Sequence, residues 1–169
     1  MNTATVLSSK PKEQLTENGI NRADRSELAT FLSKALADTF LLNVKTLNFH
    51  WNVMGPLFYS LHKLTEEQYR DLTDAIDVIA ERIRALGFVA PGSLTKFAEL
   101  TDIIEESGTP SAENMINQLA DDNERCARSL RVAVAAAEEI EDVKTADLLT
   151  DRIGQHEENA WMLRAIVSS

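Results

Sequence analysis

Two imidazoles and the carboxylates of Asp77 and Glu81 fall in one stretch, Asn48 to Arg84, reading NFHWNVMGPLFYSLHKLTEEQYRDLTDAIDVIAERIR. His50 and His62 are two of the three histidines in the chain, and Asp77 and Glu81 stand four apart, the spacing that puts both on one helix face. Imidazole nitrogen beside carboxylate oxygen is a mixed ligand set that suits iron, zinc or manganese. Each residue also has a plain structural reading. The like charges Asp77 and Glu81 cost an isolated helix about 0.2–0.5 kcal/mol, which Arg84 could relieve, His62 could pair with Glu66, and His50 could be a helix-end histidine satisfied by backbone. Taken together, the four favour a metal site over four unrelated groups.

The elements that must position them are legible. Gly55 and Pro56 break any helix carrying His50, and no further Gly or Pro occurs before Gly87, so a second helix can run unbroken beneath His62, Asp77 and Glu81. Its apolar stripe is Leu72, Ile76, Ile79, Ile83 and Leu86. His62 and Asp77 are then fifteen residues apart on one rod, about 22 Å at the α-helical rise. Metal–ligand bonds are only about 2 Å long, so one ion cannot reach both within a chain. Either the groups are unrelated, or a second copy lies antiparallel about a twofold axis near residues 69 and 70 and brings His62 of one chain to Asp77 and Glu81 of the other, making two equivalent sites.

Outside this stretch, residues 1–22 are polar and unpatterned and predict a flexible tail, leaving 23–169 as one domain. The first long helix is expected from Asp24, with Glu27 completing a capping box, to about Asn52. Its apolar residues occupy more than one stripe, which implies contacts on several sides. After Gly87 comes a long connection in which Ser93 caps a short helix to Leu100; Thr109 and Pro110 read as N-cap and first turn of a third long helix, and a fourth runs from about Val143 to Val167. The expected architecture is all-α: a ferritin-like four-helix bundle with a short extra helix in the long crossover between its second and third helices.

These residues resemble a known family. His50-Trp51-Asn52-Val53, Gly55, Phe58, His62 and the run Asp77 to Glu81-Arg82 are similar to the signature of Dps proteins, the miniferritins of the ferritin-like superfamily; Thr145 to Thr150, His156-Glu157 and Ala160 to Leu163 are similar to that family's last helix. The likeness extends from about Ser26 to Val167. It implies a ferroxidase that oxidises Fe(II), preferentially with hydrogen peroxide, at intersubunit centres and stores ferric mineral in a hollow homododecamer, protecting the cell and its DNA from oxidative damage. By position, His50 and His62 would be ligands from one subunit and Asp77 and Glu81 from its partner. Trp51 would donate or quench an electron, or else pack at the dimer contact. Glu66 stands where the family usually has Asp, one methylene longer, which implies an outer or water-mediated ligand.

Two motif searches are negative. The Glu-x-x-His pair of an intrachain di-iron centre is missing, because Leu47, Tyr59 and Ile153 precede the three histidines by three. His156-Glu157 is not a zinc-protease motif, because Ala160 stands where the second histidine would be. His156 lies in an apolar series and reads as a hydrogen-bonded core residue, and Cys126 as a small buried one.

With 27 acids against 17 bases the net charge is −10, a field that attracts ferrous cations. Asp121, Asp122 and Glu124 are candidates to line a pore, or simply a solvated acidic face. The same charge argues against DNA as a partner: Lys10 and Lys12 are offset by Glu13 and Glu17, and phosphate binding needs clustered cations. A DNA-compacting nucleoid protein and a helical oligomer with a structural zinc site remain as alternative functions. No apolar run is long enough to span a bilayer and no signal peptide is evident, so the expected location is the cytoplasm, with nucleoid association as a variant.

Overall fold

A computed structural model describes residues 11–168. Five helices follow in order: α1 (Arg22–Asn52), α2 (Phe58–Ala85), α3 (Leu94–Leu100), α4 (Ala112–Glu139) and α5 (Val143–Val167), and no strand occurs among the described residues. Ladder contacts fix the arrangement. Asn43 meets Thr73 across α1 and α2, Lys45 meets Asp122 across α1 and α4, and Asp71 meets Arg152 across α2 and α5. Farther along the same pairs, His50 contacts Thr65 and Arg82 contacts Asp142. Neighbouring helices are therefore antiparallel, while α2 and α4 run the same way and need the crossover of residues 86–111 to connect them. The expected bundle and its extra helix are both present.

Helix boundaries follow local chemistry, and two differ from expectation. The Asn21 side chain accepts the Asp24 N–H (3.1 Å), so α1 begins at Arg22, and Asp24 lies inside the first turn rather than capping it. At α4 the cap is Ser111, whose hydroxyl accepts the Asn114 N–H (3.3 Å), instead of Thr109. Pro110 precedes the cap and holds the chain extended as it enters the helix. Ser93 caps α3 as expected, through the Lys96 N–H. Gly87 ends α2 in the left-handed region, φ +99°, a conformation that favours glycine. A Cβ there would also lie 2.7 Å from the Gln14 carbonyl oxygen, because Gln14 N–H donates to Gly87 C=O at 2.7 Å. Of the expected tail, residues 1–10 lie outside the described residues; residues 12–16 run along the end of α2.

The core has two ends. Leu28, Leu32, Leu36, Ile79, Ile83, Leu130 and Leu149 fill one, and Leu42, Phe49, Leu61, Leu72, Ile116, Leu119 and Leu163 fill the other. Burying a side chain of this size stabilises by roughly 1.5–3 kcal/mol against leaving it in water. Helix α1 contributes to both ends and packs on α2, α3 and α4, which accounts for its several apolar stripes. In α3, Phe97 stacks on Phe40 of α1 with ring centroids 4.5 Å apart, which pins the crossover to the bundle.

The turn into α5 carries a polar lock. Asp142 caps α5 through Thr145, and Arg82 Nη2 lies 2.7 Å from both of its carboxylate oxygens while Arg82 Nε donates to Thr145 Oγ1 at 2.7 Å. Burial pushes its carboxyl up, but the Thr145 hydrogen bonds and Arg82 outweigh that and hold it below the usual carboxylate range. A depressed folded-state pKa stabilises above the unfolded value and loses that contribution as pH falls through the folded one. Asp142→Ala is therefore expected to destabilise by about 2–4 kcal/mol at pH 7, from a lost cap and a stranded Arg82. Thermal midpoints measured from pH 7 to 3 check this, since the variant's deficit must shrink below about pH 4.

Candidate metal centre

The last turn of α1 carries His50 and the second turn of α2 carries His62. The two rings stack, with centroids 3.8 Å apart and planes 15° off parallel. Their backbone bonding is reciprocal: His50 Nδ1 donates to the His62 carbonyl and His62 Nδ1 to the His50 carbonyl, both at 2.9 Å. A carbonyl only accepts, so each Nδ1 must carry the proton. In the neutral imidazole each Nε2 is then a lone pair, the form that binds a metal ion, and the second hydrogen bond fixes each ring's orientation. Thr65 Oγ1 lies 3.3 Å from His50 Nδ1 and donates to the Leu61 carbonyl at 2.7 Å.

Two aromatic rings complete the setting. Phe58 stacks on His62 (5.1 Å) and Tyr69 meets His50 edge-on (5.2 Å). Thr65, Phe58 and Tyr69 were not singled out as site residues from the sequence. Their spacing from His62, three, four and seven residues along one helix, was the signal that could have found them.

Asp77 and Glu81 lie farther along α2 with both side chains exposed. Among the described residues no three histidine, cysteine, aspartate or glutamate side chains converge within one chain on a point that could hold a metal ion. Glu66 is held by Lys63 Nζ at 2.9 Å and Arg70 at 2.6 Å, and the Lys63 hydrogen bond followed by Arg70 keeps its carboxyl below the usual range. Trp51 is 68% exposed beside an exposed Met54, Phe58 and Tyr59. Large apolar side chains left in water on the segment that joins His50 to His62 mark a surface suited to covering by another protein surface.

The three acidic pore candidates divide. Asp121 and Glu124 bind Arg164 at the surface. Asp122 is buried, and its carboxylate takes the Lys45 ammonium at 2.5 Å with both side chains under 10% exposed.

His156, 1% exposed, gives its Nδ1–H to Asn123 Oδ1 at 2.8 Å, and burial pushes its pKa down to about 3. It is a neutral core residue. Cys126 is buried and its thiol is pushed far up by burial, so no thiolate is available for nucleophilic chemistry.

The ferritin-like domain family matches residues 29–169. DNA protection during starvation protein 2 of Bacillus anthracis is 36% identical over 137 residues, covering 81% of this chain and 94% of that protein. The chain belongs to the Dps family. The crystal structure of a Dps protein from Bacillus brevis superposes with a TM-score of 0.84 at 34% identity, covering 86% of this chain and 98% of that one. The Vibrio cholerae Dps structure, described as a member of the ferritin-like diiron-carboxylate proteins, gives 0.86 at 28% identity over 95% and 100% of the two chains. A low temperature-induced protein of Nostoc is also similar, 44% identical over 151 residues and covering 88% of this chain and 84% of its own. In this Dps chain the imidazole pair therefore sits on the α1–α2 side of a ferritin-type bundle, with no ligand cluster inside the bundle itself among the described residues. No helix among the described residues is long and apolar enough to cross a membrane.

Proposed function

We propose that this protein oxidises Fe(II), with hydrogen peroxide as the oxidant, at centres shared between two subunits, and stores the ferric product inside a closed oligomer. The reciprocally locked imidazole pair carries this reading. His50 and His62 present lone pairs at Nε2 without supplying the carboxylates that balance a cation's charge. The partner subunit's Asp77 and Glu81 would supply them when two α2 helices lie antiparallel across a twofold axis. Two exposed carboxylates four residues apart, and a surface bearing Trp51, Met54 and Tyr59 beside the imidazoles, support the same arrangement. Sequence and fold likeness to Dps and diiron-carboxylate proteins supports iron as the substrate.

The residues would divide the work. Imidazole and carboxylate ligands hold Fe(II) while leaving coordination positions open to the oxidant. Two ferrous ions give one electron each to one peroxide, which with two protons leaves as two waters. Trp51, next to His50 in sequence, would take up a stray oxidising equivalent or pack at the contact. Glu66, already held by Lys63 and Arg70, would act through water, and Asp121 and Glu124 would draw ferrous ions to the shell.

Mixing Fe(II) with the protein under anaerobic conditions and then adding peroxide will give ferric absorbance far faster than without protein, at a native mass of about twelve chains. A monomeric mass, or a rate no faster than buffer, would refute the reading. DNA binding is weak or lacking at physiological salt, because the net charge is −10 and Lys63 and Arg70, on the same helix as His62, are tied to Glu66. Retention of plasmid in a gel shift at moderate salt would favour the DNA-compacting alternative. The proposed location is the cytoplasm.

A further inference from the structure

We infer that Lys63 and Arg70 set how tightly the centre holds a divalent ion, by tying up both oxygens of Glu66 on the face of α2 that carries His62. The inference rests on the shared centre proposed above. Glu66 follows His62 by four residues, so the two lie on one helix face. It stands in sequence between Thr65 and Tyr69, both of which contact His50. One cation occupies each of its oxygens: Lys63 Nζ donates to Oε2 at 2.9 Å and Arg70 Nη2 to Oε1 at 2.6 Å. The Lys63 hydrogen bond leads the lowering of this carboxyl, Arg70 follows, and a smaller pull comes from His50, which puts that imidazole within electrostatic reach of Glu66. The Glu66 side chain is 22% exposed against 54% for Lys63 and 66% for Arg70, so the anion is the most enclosed of the three.

Spacing along the chain does not force this pairing. Glu67 stands four residues after Lys63 and three before Arg70, where Glu66 stands three after and four before, and either spacing brings side chains together on a helix. Glu67 is nevertheless exposed and forms no ion pair among the described residues. Both cations go instead to the carboxylate on the histidine face.

The consequence is a competition. A divalent ion at the two imidazoles needs anionic oxygen to balance its charge, and Glu66 is the carboxylate of the same chain that follows His62 by about one turn. Each of its oxygens keeps a further lone pair, but an ion bound there would stand beside an ammonium or a guanidinium, and the like charges repel. Direct binding through Glu66 therefore has to displace at least one of the two cations. Two exposed pairs of ordinary strength together weaken the hold on the ion by about tenfold. While they stand, the centre draws its charge balance from the partner subunit's Asp77 and Glu81.

Zn(II) has no redox chemistry and so reads affinity apart from any iron oxidation. Calorimetric titration of the intact oligomer with Zn(II) will give the double variant Lys63→Gln with Arg70→Gln a dissociation constant about tenfold below wild type. Adding Glu66→Gln to that pair removes the gain, while adding Glu67→Gln keeps it, although the two triple variants carry the same charge. Equal affinities in the two triple variants would assign the effect to the general field and overturn the proposal, as would a double variant no tighter than wild type. Should Arg70→Gln disturb assembly, Lys63→Gln alone carries the same comparison at about threefold. His50→Ala separates this result from the fate of the shared centre. Zn(II) binding lost in that variant upholds the centre whatever Lys63 and Arg70 do, whereas Zn(II) binding indifferent to His50 overturns both.

Discussion

Oligomers reassembled from equal amounts of His50→Ala and Asp77→Ala subunits will oxidise Fe(II) at about a quarter of the wild-type rate, although each variant alone has lost at least about 100-fold. The arithmetic comes from a shared site. Random pairing makes about half of the twofold dimers mixed, and in each mixed dimer one centre collects both defects while the other collects neither. Were all ligands drawn from one chain, every subunit would carry a broken centre and mixing would recover nothing. Stopped-flow ferric absorbance on the reassembled mixture decides between them. A recovered rate indistinguishable from that of the separate variants would end the intersubunit reading even if both oligomers assemble normally.

Lys45→Met will lower the apparent melting midpoint by roughly 6–20 °C, equivalent to about 3–5 kcal/mol. Lys45 and Asp122 are both almost wholly buried between α1 and α4, and their contact is the 2.5 Å ion pair. Taking the ammonium away leaves a carboxylate in the core with no counter-charge, which is far worse than never having had the pair. The double variant Lys45→Met with Asp122→Leu will therefore recover most of the loss, because two apolar side chains of similar volume replace the pair.

The sign of the pH effect follows. Burial already pushes the Asp122 carboxyl above its ordinary 3.8, with Lys45 pulling it back. Without Lys45 it rises further, and a group with a raised folded-state pKa favours the fold below the unfolded value and loses that contribution as pH rises through the folded one. The deficit of Lys45→Met will thus be smallest near pH 4 and grow toward neutrality. A deficit that stays flat with pH would mean that the lost packing of the lysine stem matters more than its charge.

Much of the bundle was legible because its signals are local. Gly55-Pro56 and Gly87 bracket α2 through left-handed backbone that few other residues adopt, and the Leu72 to Leu86 stripe is the buried face of that helix. Caps were less legible, since several residues compete for one orphan N–H group. Asn21 won over Asp24, and Ser111 over Thr109, by reach and geometry that composition does not encode.

The metal-binding residue types, their fifteen-residue separation along α2 and the impossibility of one chain closing on a single ion were all present in the linear sequence. Only the folded bundle decided that His50 and His62 stack and lock each other's Nδ1, because that requires the end of α1 and the start of α2 to meet across the Gly55-Pro56 turn. Only the fold set apart Asp122 from its acidic neighbours. Asp121 and Glu124 look the same in the chain, but the helical phase turns Asp122 inward to Lys45, seventy-seven residues away, and the outer two to Arg164. Helix period and turn chemistry act over a few residues and can be read in order, whereas the protonation and pairing of a side chain depend on which distant helix packs against it.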